Sequence, residues 1–227
     1  YANERGMSTI PPSIALLSKI LKDAGHQTAL FDTTFYKFDD ELVTVDSDEE
    51  RKNTFTVRPV SEIDDESHFK QSTRSAINDF RSSIMAFRPD LIAVSTTETT
   101  FHRGLTLISE VRDLNILNIF GGVFCTFAPD LVMSFKDIDM CCVGEGENAI
   151  VDLAAAIAKN EEITNVTNIW VREINGNIIK NNITHPVDLD SLPTITDIGI
   201  FGEQRFYRPM GGKIRRLLPV ETHRGCP

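Results

Sequence analysis

The sequence lacks the features of a membrane-spanning or nucleic-acid-binding chain. No apolar run approaches the roughly 20 residues needed to cross a bilayer, and the N-terminal residues do not form a secretion signal. No run of Lys or Arg is longer than a pair, and the formal net charge is −10. Affinity for nucleic acid comes largely from neutralising phosphates. These absences favour a cytoplasmic protein whose partner is neither a membrane nor a nucleic acid.

Cysteine is also scarce, with four residues in a chain of 227. Cys141 and Cys142 lie in a predicted buried strand and Cys125 follows a Gly-Gly pair, which suits reduced thiols better than a disulfide framework. The apolar content of 41% is ample for a hydrophobic core. We therefore expect one domain of ordinary size plus an appendage.

Three short apolar segments dominate the middle of the chain, at residues 91–95, 116–120 and 138–143. Helix-like segments separate them, a pattern typical of strands buried on both faces of a parallel sheet. We also predict a strand at residues 28–32 and an earlier first strand. Residues 1–10 contain only the loop that would follow that first strand. The prediction is an α/β fold: a Rossmann-like, flavodoxin-type sheet of five parallel strands with helices on both faces.

The remaining segments depart from this pattern. Residues 37–73 are dense in acids and have no sustained period, so we interpret them as an acidic insertion within a domain that spans 1–160. Residues 161–185 hold an Asn-Gly turn between two strand-like runs, which predicts a C-terminal β-hairpin appendage. Residues 186–227 are interpreted as a linker that leads into a final strand at 214–221.

The carboxyl ends of the three central strands carry small or polar residues, in the runs STTE, GGVF and GEGE. In doubly wound sheets the crevice outside these ends binds the ligand. Glycine there lets the backbone turn and lets a flat or bulky ligand approach the peptide plane. The alternative, that the glycines only make tight turns, holds for any one loop alone. Three such loops at one edge favour a ligand site.

These features occur in the order PPSIALLSKILKDAGHQTALFD, Gly-Gly followed by Pro129, GEGE, LDSLP and a terminal RGCP. Together they resemble the N-terminal region of cobalamin-dependent radical S-adenosylmethionine enzymes. The resemblance implies a cobalamin domain followed by a partial-barrel catalytic domain, of which this sequence holds only the first strand. The fragment alone would not be catalytic. The full-length enzyme would be a methyltransferase or would catalyse a radical rearrangement or cyclisation, on a small molecule or peptide that the sequence does not identify.

The resemblance also implies how the cofactors are held. Cys226 matches the first cysteine of a CxxxCxxC motif, so a [4Fe-4S] cluster and S-adenosylmethionine would be bound only in the full-length protein. Cobalamin mutases and methionine synthases place a histidine on cobalt from an Asp-x-His-x-x-Gly loop, and the run from Asn3 to Gly6 lacks both the Asp and the His. We therefore expect base-off cobalamin without a histidine ligand. The implied cofactor-binding residues are Arg5, Gly6, Met7, Ser95, Thr96, Thr97, Glu98, Gly121, Gly122, Val123, Phe124, Gly144, Glu145 and Gly146.

Two other functions stay open. One is a flavodoxin-like or regulatory domain that binds another nucleotide-like ligand, and the other is a degenerate scaffold that binds nothing. A flavin site needs aromatic walls, for which the edge offers chiefly Phe101 and Phe124. Among the histidines, His102 lies just beyond the first loop and is the one that we single out as a possible cofactor contact.

Overall fold

A computed structural model describes residues 10–36, 38, 72–184, 186–194, 196–210, 213–220 and 224. Four residues of the predicted site, Arg5, Gly6, Met7 and Cys226, lie outside the described residues, as does most of the acidic insertion. In the described part of the chain no helix is both long and apolar enough to cross a bilayer.

Six helices and seven strands are assigned in the described residues. The helices are α1 (Pro12–Asp23), α2 (Ala76–Phe87), α3 (Phe101–Ser109), α4 (Val123–Phe127), α5 (Pro129–Ser134) and α6 (Glu147–Lys159). The strands are β1 (Leu91–Ser95), β2 (Leu117–Gly121), β3 (Met140–Cys142), β4 (Ile169–Arg172), β5 (Ile178–Lys180), β6 (Tyr207–Met210) and β7 (Lys213–Arg216). Short 3₁₀ turns occur at Arg112–Leu114, Leu189–Ser191, Ile198–Ile200 and Glu203–Phe206.

The main sheet has five strands in the order β1-β2-β3-β4-β5. Strands β1, β2 and β3 are parallel, with Ser95 opposite Gly121 and Phe120 opposite Cys141. The α/β, Rossmann-like class is confirmed, but the all-parallel sheet was wrong. The hairpin β4–β5 pairs antiparallel with β3, so it is part of the main sheet rather than an appendage. It covers the backbone edge of β3, which would otherwise be left unpaired.

The other end of the sheet also differs from the prediction. Strand β1 is the end strand of the described sheet. The prediction included two further parallel strands that precede it in the chain, one of them absent from the sequence. The other, at residues 28–32, has no strand assignment in the structure. Five strands are therefore observed because the hairpin supplies the last two.

Helices cover both faces of the sheet, as predicted. Phe120 and Cys141 face a core formed with α2, α3 and α5, whose largest fully buried side chain is Phe101. The neighbouring positions Met140 and Cys142 face the opposite core, formed with α6 and the apolar side of α1. This alternation follows from the period-two geometry of a strand and explains why both neighbours in β3 are apolar.

The linker, defined here as residues 186–206, packs on the domain. Phe201 and Phe206 are buried against Ile10 and Ala15. Asp197 accepts hydrogen bonds from the Ser18 hydroxyl and the Lys22 ammonium group, both at 2.6 Å. Strands β6 and β7 then form a separate antiparallel pair, so the predicted final strand is the second strand of a hairpin and ends at Arg216.

Candidate functional site

The three predicted loops meet at the carboxyl edge of the parallel strands. Thr96 follows β1, and its N–H donates to the carbonyl of Gly121 at the end of β2 (3.1 Å). Thr126, in α4 after β2, accepts a hydrogen bond from the N–H of Gly144, which follows β3 (3.1 Å). The structure therefore joins the loops in the order β1, β2, β3 and forms one continuous edge.

Gly122 allows the first two loops to touch. Its φ is +109°, and a Cβ built on it would lie 2.4 Å from the carbonyl oxygen of Thr96. No side chain fits there, because both the backbone conformation and a backbone atom oppose it. The Thr96 hydroxyl is buried and has no hydrogen-bond partner among the described residues. The close approach of the two loops is therefore fixed by glycine at position 122.

Gly121, one residue earlier, has different surroundings. A Cβ built on it would meet only the Cβ of Cys142, at 3.8 Å. The neighbouring side chain of Val123 is 64% exposed. Gly121 is therefore partly exposed and uncrowded, and it is the part of the edge against which a flat ligand could lie.

The loop after β3 is held by side chains from distant parts of the chain. Asn168 has a left-handed φ of +65° and is 5% exposed. Its amide donates to the carbonyl of Glu145 (2.8 Å), and its side-chain oxygen accepts the N–H of Thr184 (2.7 Å). Asn168 thus ties the loop after β3 to the start of β4 and to the chain that follows β5.

The carboxylates of this loop are paired. Arg224 contacts both, with its Nη1 atom 2.6 Å from Oε1 of Glu147 and 3.5 Å from Oε1 of Glu145. Glu145 also accepts the N–H of Val187 from the linker. Glu147 is only 7% exposed and opens α6, where the helix dipole favours a negative charge. These carboxylates are therefore engaged with the C-terminal part of the chain.

The aromatic residues named for this edge face inward. Phe101 is 2% exposed and packs against Phe120, Phe124 and Phe135, with ring centroids 5.0 to 5.6 Å apart. Phe124 is half-buried on the same cluster. Neither ring stands up from the edge as a wall beside a bound flavin.

The thiols and histidines offer no metal site in the described residues, where no group of three or more His, Cys, Asp or Glu residues is arranged to hold an ion. Cys125, Cys141 and Cys142 are buried and free, as predicted for reduced thiols. Burial raises the pKa of Cys142 to about 12, so its thiol stays protonated. His102 is exposed on the first turn of α3, with its ring edge-on to Phe101.

A cleft of about 610 Å³ opens beside the loop after β3 and not at the glycine edge. Its lining includes the carboxylates of Glu147, Asp152 and Asp188. Glu147 is paired with Arg224, but the carboxylates of Asp152 and Asp188 disfavour a phosphate or another anion in this cleft. The edge formed by Gly121 and the adjoining loops, rather than this cleft, is therefore the candidate ligand site.

Sequence reasoning grouped the strand-end loops correctly but missed Thr126, Asn168, Val187 and Arg224. Arg224 had a usable signal, since a cation in RGCP complements the two acids of GEGE. Asn168 had none, because its role depends on a backbone conformation and on partners that only the folded chain brings together.

Comparison with known proteins identifies a family whose model matches the segment that contains the three loops. Residues 66–154 match the family model described as B12 binding domain, and this segment includes all three loops. Among curated proteins, no relative of the sequence is detected.

Two solved structures share the fold over most of this chain. The cobalamin-dependent S-adenosylmethionine radical enzyme OxsB, with aqua-cobalamin and S-adenosylmethionine bound, is 18% identical with a TM-score of 0.56, covering 85% of this chain and 22% of OxsB. The radical S-adenosylmethionine methyltransferase TsrM from Kitasatospora setae, with cobalamin and a [4Fe-4S] cluster bound, is 16% identical with a TM-score of 0.54, covering 82% of this chain and 28% of TsrM. The chain thus spans less than a third of either enzyme.

Residues 66–154 are thus similar to a B12 binding domain, and the chain shares its fold with these two enzymes. Its architecture is that of the corresponding region of cobalamin-dependent radical S-adenosylmethionine enzymes. The resemblance found in the sequence is confirmed.

Proposed function

We propose that this chain is the cobalamin-binding module of a cobalamin-dependent radical S-adenosylmethionine enzyme, with the corrin ring at the carboxyl edge of β1, β2 and β3. One observation carries the proposal. The segment that matches the B12 binding domain, residues 66–154, contains all three loops that meet at this edge.

The residues present fit a corrin ring. Gly121 has no side chain to cover its peptide plane, and the adjoining loop likewise has no side chain of its own at Gly144 and Gly146. Thr97 and Thr99 add hydroxyls that lie 3.1 Å apart. These groups can donate to or accept from the amide side chains of a corrin. The unpartnered hydroxyl of Thr96 lies beneath the same edge.

The inward-facing aromatic residues favour cobalamin over the flavodoxin-like alternative. A flavin site typically has aromatic side chains stacked on the flat isoalloxazine ring. Phe101 is fully buried and Phe124 packs on it. The edge instead presents glycine and hydroxyl-bearing side chains, which suits a ring surrounded by amides.

The finer expectations remain part of this proposal. We place Arg5, Gly6 and Met7 at the same edge and Cys226 among the ligands of a [4Fe-4S] cluster that needs the rest of the full-length protein. Bound cobalamin would supply a cobalt centre that carries a methyl group or assists a radical rearrangement. We propose that it binds base-off without protein imidazole, since no histidine occurs in the run from Asn3 to Gly6.

Titration with hydroxocobalamin, followed by gel filtration and visible absorption, tests the module. We expect about one cobalamin per chain to co-elute with the protein. A chain that elutes without the absorption bands would contradict the proposal and favour the degenerate scaffold.

Electron paramagnetic resonance of the cob(II)alamin form tests the lower face of cobalt. We expect no superhyperfine splitting from a coordinated nitrogen. Splitting by one nitrogen would contradict base-off binding without imidazole, and a His102→Ala variant would show whether that histidine supplies it.

A further inference from the structure

The contact between Arg224 and the loop after β3 joins two parts of the chain that are 77 residues apart. We propose that Arg224 is a positioning residue. By bridging Glu145 and Glu147, it fastens the C-terminal part of the chain to this loop and holds the loop in the shape that the ligand requires. The effect on the ligand rests on the proposed cobalamin site, whereas the effect on the loop does not.

Burial makes the bridge stronger than an ordinary surface pair. The side chain of Glu147 is 9% exposed and that of Arg224 is 24% exposed. Water screens such a pair less than an exposed one, and removing one partner leaves the other charge poorly solvated. Arg216 and Glu203 form an exposed pair for comparison, with side chains 58% and 63% exposed.

The bridge acts on the loop because one guanidinium neutralises two carboxylates that are two residues apart. Without Arg224, Glu145 and Glu147 would repel each other at the start of α6. Glu145 holds the N–H of Val187 through its side chain and the amide of Asn168 through its carbonyl. A shift of Glu145 would therefore loosen the contacts that hold the loop beside Gly144 and Gly146.

Hydrogen exchange measured by mass spectrometry on the 227-residue chain tests the effect on the loop. In Arg224→Gln we expect amide exchange to accelerate about tenfold in peptides that cover residues 143–147 and 186–188, since a lost charged hydrogen bond changes a local equilibrium by about that factor. Arg216→Gln, the matched control, should leave these peptides unchanged. Unchanged exchange in Arg224→Gln would overturn the proposal whether or not cobalamin binds.

Two further variants separate positioning from simple loss of a contact. Arg224→Lys keeps the positive charge and should restore most of the protection. Adding Glu147→Gln to Arg224→Gln should slow exchange relative to the single Arg224→Gln variant, because the uncompensated charge is then gone. Equal exchange in the single and double variants would contradict a role for the charge of Arg224.

Titration with hydroxocobalamin tests the effect on the ligand. We expect Arg224→Gln to weaken binding about tenfold, Arg224→Lys to recover most of it and Arg216→Gln to leave it unchanged. Faster loop exchange with unaltered affinity would overturn the positioning role and leave a purely structural bridge. A wild-type chain that binds no cobalamin would contradict the proposed function, and exchange alone would then decide whether Arg224 holds the loop.

Discussion

The loops after β2 and β3 read alike in the sequence, since each follows a short apolar strand and contains two glycines, but they are built differently. The loop after β2 is fixed by backbone geometry, because Gly122 lies against the carbonyl of Thr96. The loop after β3 is fixed by side chains, through Asn168, Arg224 and the N–H of Val187. One loop depends on the absence of a side chain and the other on the presence of several.

This difference suggests a division of roles at the edge. The loop after β2 needs no distant partner beyond the neighbouring strand, so it can offer an open and rigid surface at Gly121. Besides its bond to Thr126, the loop after β3 takes contacts from the chain beyond β3, from Asn168 to Arg224, and so can respond to changes there. We expect ligand contact chiefly at the loop after β2, and communication with the rest of the protein at the loop after β3.

The largest effect is expected from Gly122→Ala. The added Cβ would lie 2.4 Å from the carbonyl oxygen of Thr96 in a backbone conformation that L residues rarely adopt. Strain of this kind costs about 1 to 3 kcal/mol before the collision is added, so we expect a loss of at least about 3 kcal/mol in the free energy of unfolding, measured with urea.

Gly176→Ala is the matched control for Gly122→Ala. Its φ is +90°, and no atom lies within 4 Å of the added Cβ. We expect it to lose only about 1 to 2 kcal/mol, the cost of the left-handed backbone itself. Equal losses at both positions would show that the contact with Thr96 does not hold the first loop.

Asn168→Ala tests the loop after β3, and we expect it to cause the next largest loss in the free energy of unfolding. It removes the bonds to Glu145 and Thr184 and leaves alanine at a φ of +65°. We expect a loss of about 2 to 3 kcal/mol in urea unfolding, because buried partners lose their hydrogen bonds. Asn168→Gly should lose about 1 kcal/mol less, since glycine accepts that backbone conformation. A smaller loss in the alanine variant than in the glycine variant would contradict this account.

The sequence predicts the edge but not its construction. Apolar runs of strand length place Ser95, Gly121 and Gly144 at or just after the carboxyl ends of parallel strands, and these ends meet at one edge of the sheet. The contacts of Glu145 and Glu147 are not predictable in this way. Asn168 and Arg224 lie 23 and 77 residues away, and no local pattern specifies such pairs.

The strand order shows the same limit. Periodicity identified the hairpin at Asn175 and Gly176, but whether its strands stand apart or join the sheet depends on which edge is left uncovered. Strand β3 is only three residues long and offers that edge to β4. The prediction of an all-parallel sheet failed at this position because strand direction is set by tertiary pairing.

Gly121→Val separates ligand binding from folding at the first loop. Its Cβ would meet only Cys142, at ordinary van der Waals distance, so we expect a change in unfolding free energy of less than about 1 kcal/mol. The branched side chain would occupy space beside Gly121, where we propose that the corrin ring lies, so cobalamin affinity should fall at least about tenfold. Gly202→Val, in the linker with no atom within 4 Å of its Cβ, should leave affinity unchanged. Normal binding by Gly121→Val would remove this position from the site.

The smallest loss in unfolding free energy is expected at the hydrogen bond between the loops after β2 and β3. The Thr126 hydroxyl accepts the N–H of Gly144 at 3.1 Å and donates to the carbonyl of Gly122 at 3.4 Å, and Thr126→Val removes both bonds at nearly constant volume. Gly144 is exposed, so water can replace the hydroxyl and the loss should be about 0.5 to 1 kcal/mol. Thr106→Val is the control, because its hydroxyl bonds only within α3, to the carbonyl of His102. If Thr126→Val destabilised the chain as much as Asn168→Ala, the second loop would depend on the first, and the separate construction inferred for the two loops would be wrong.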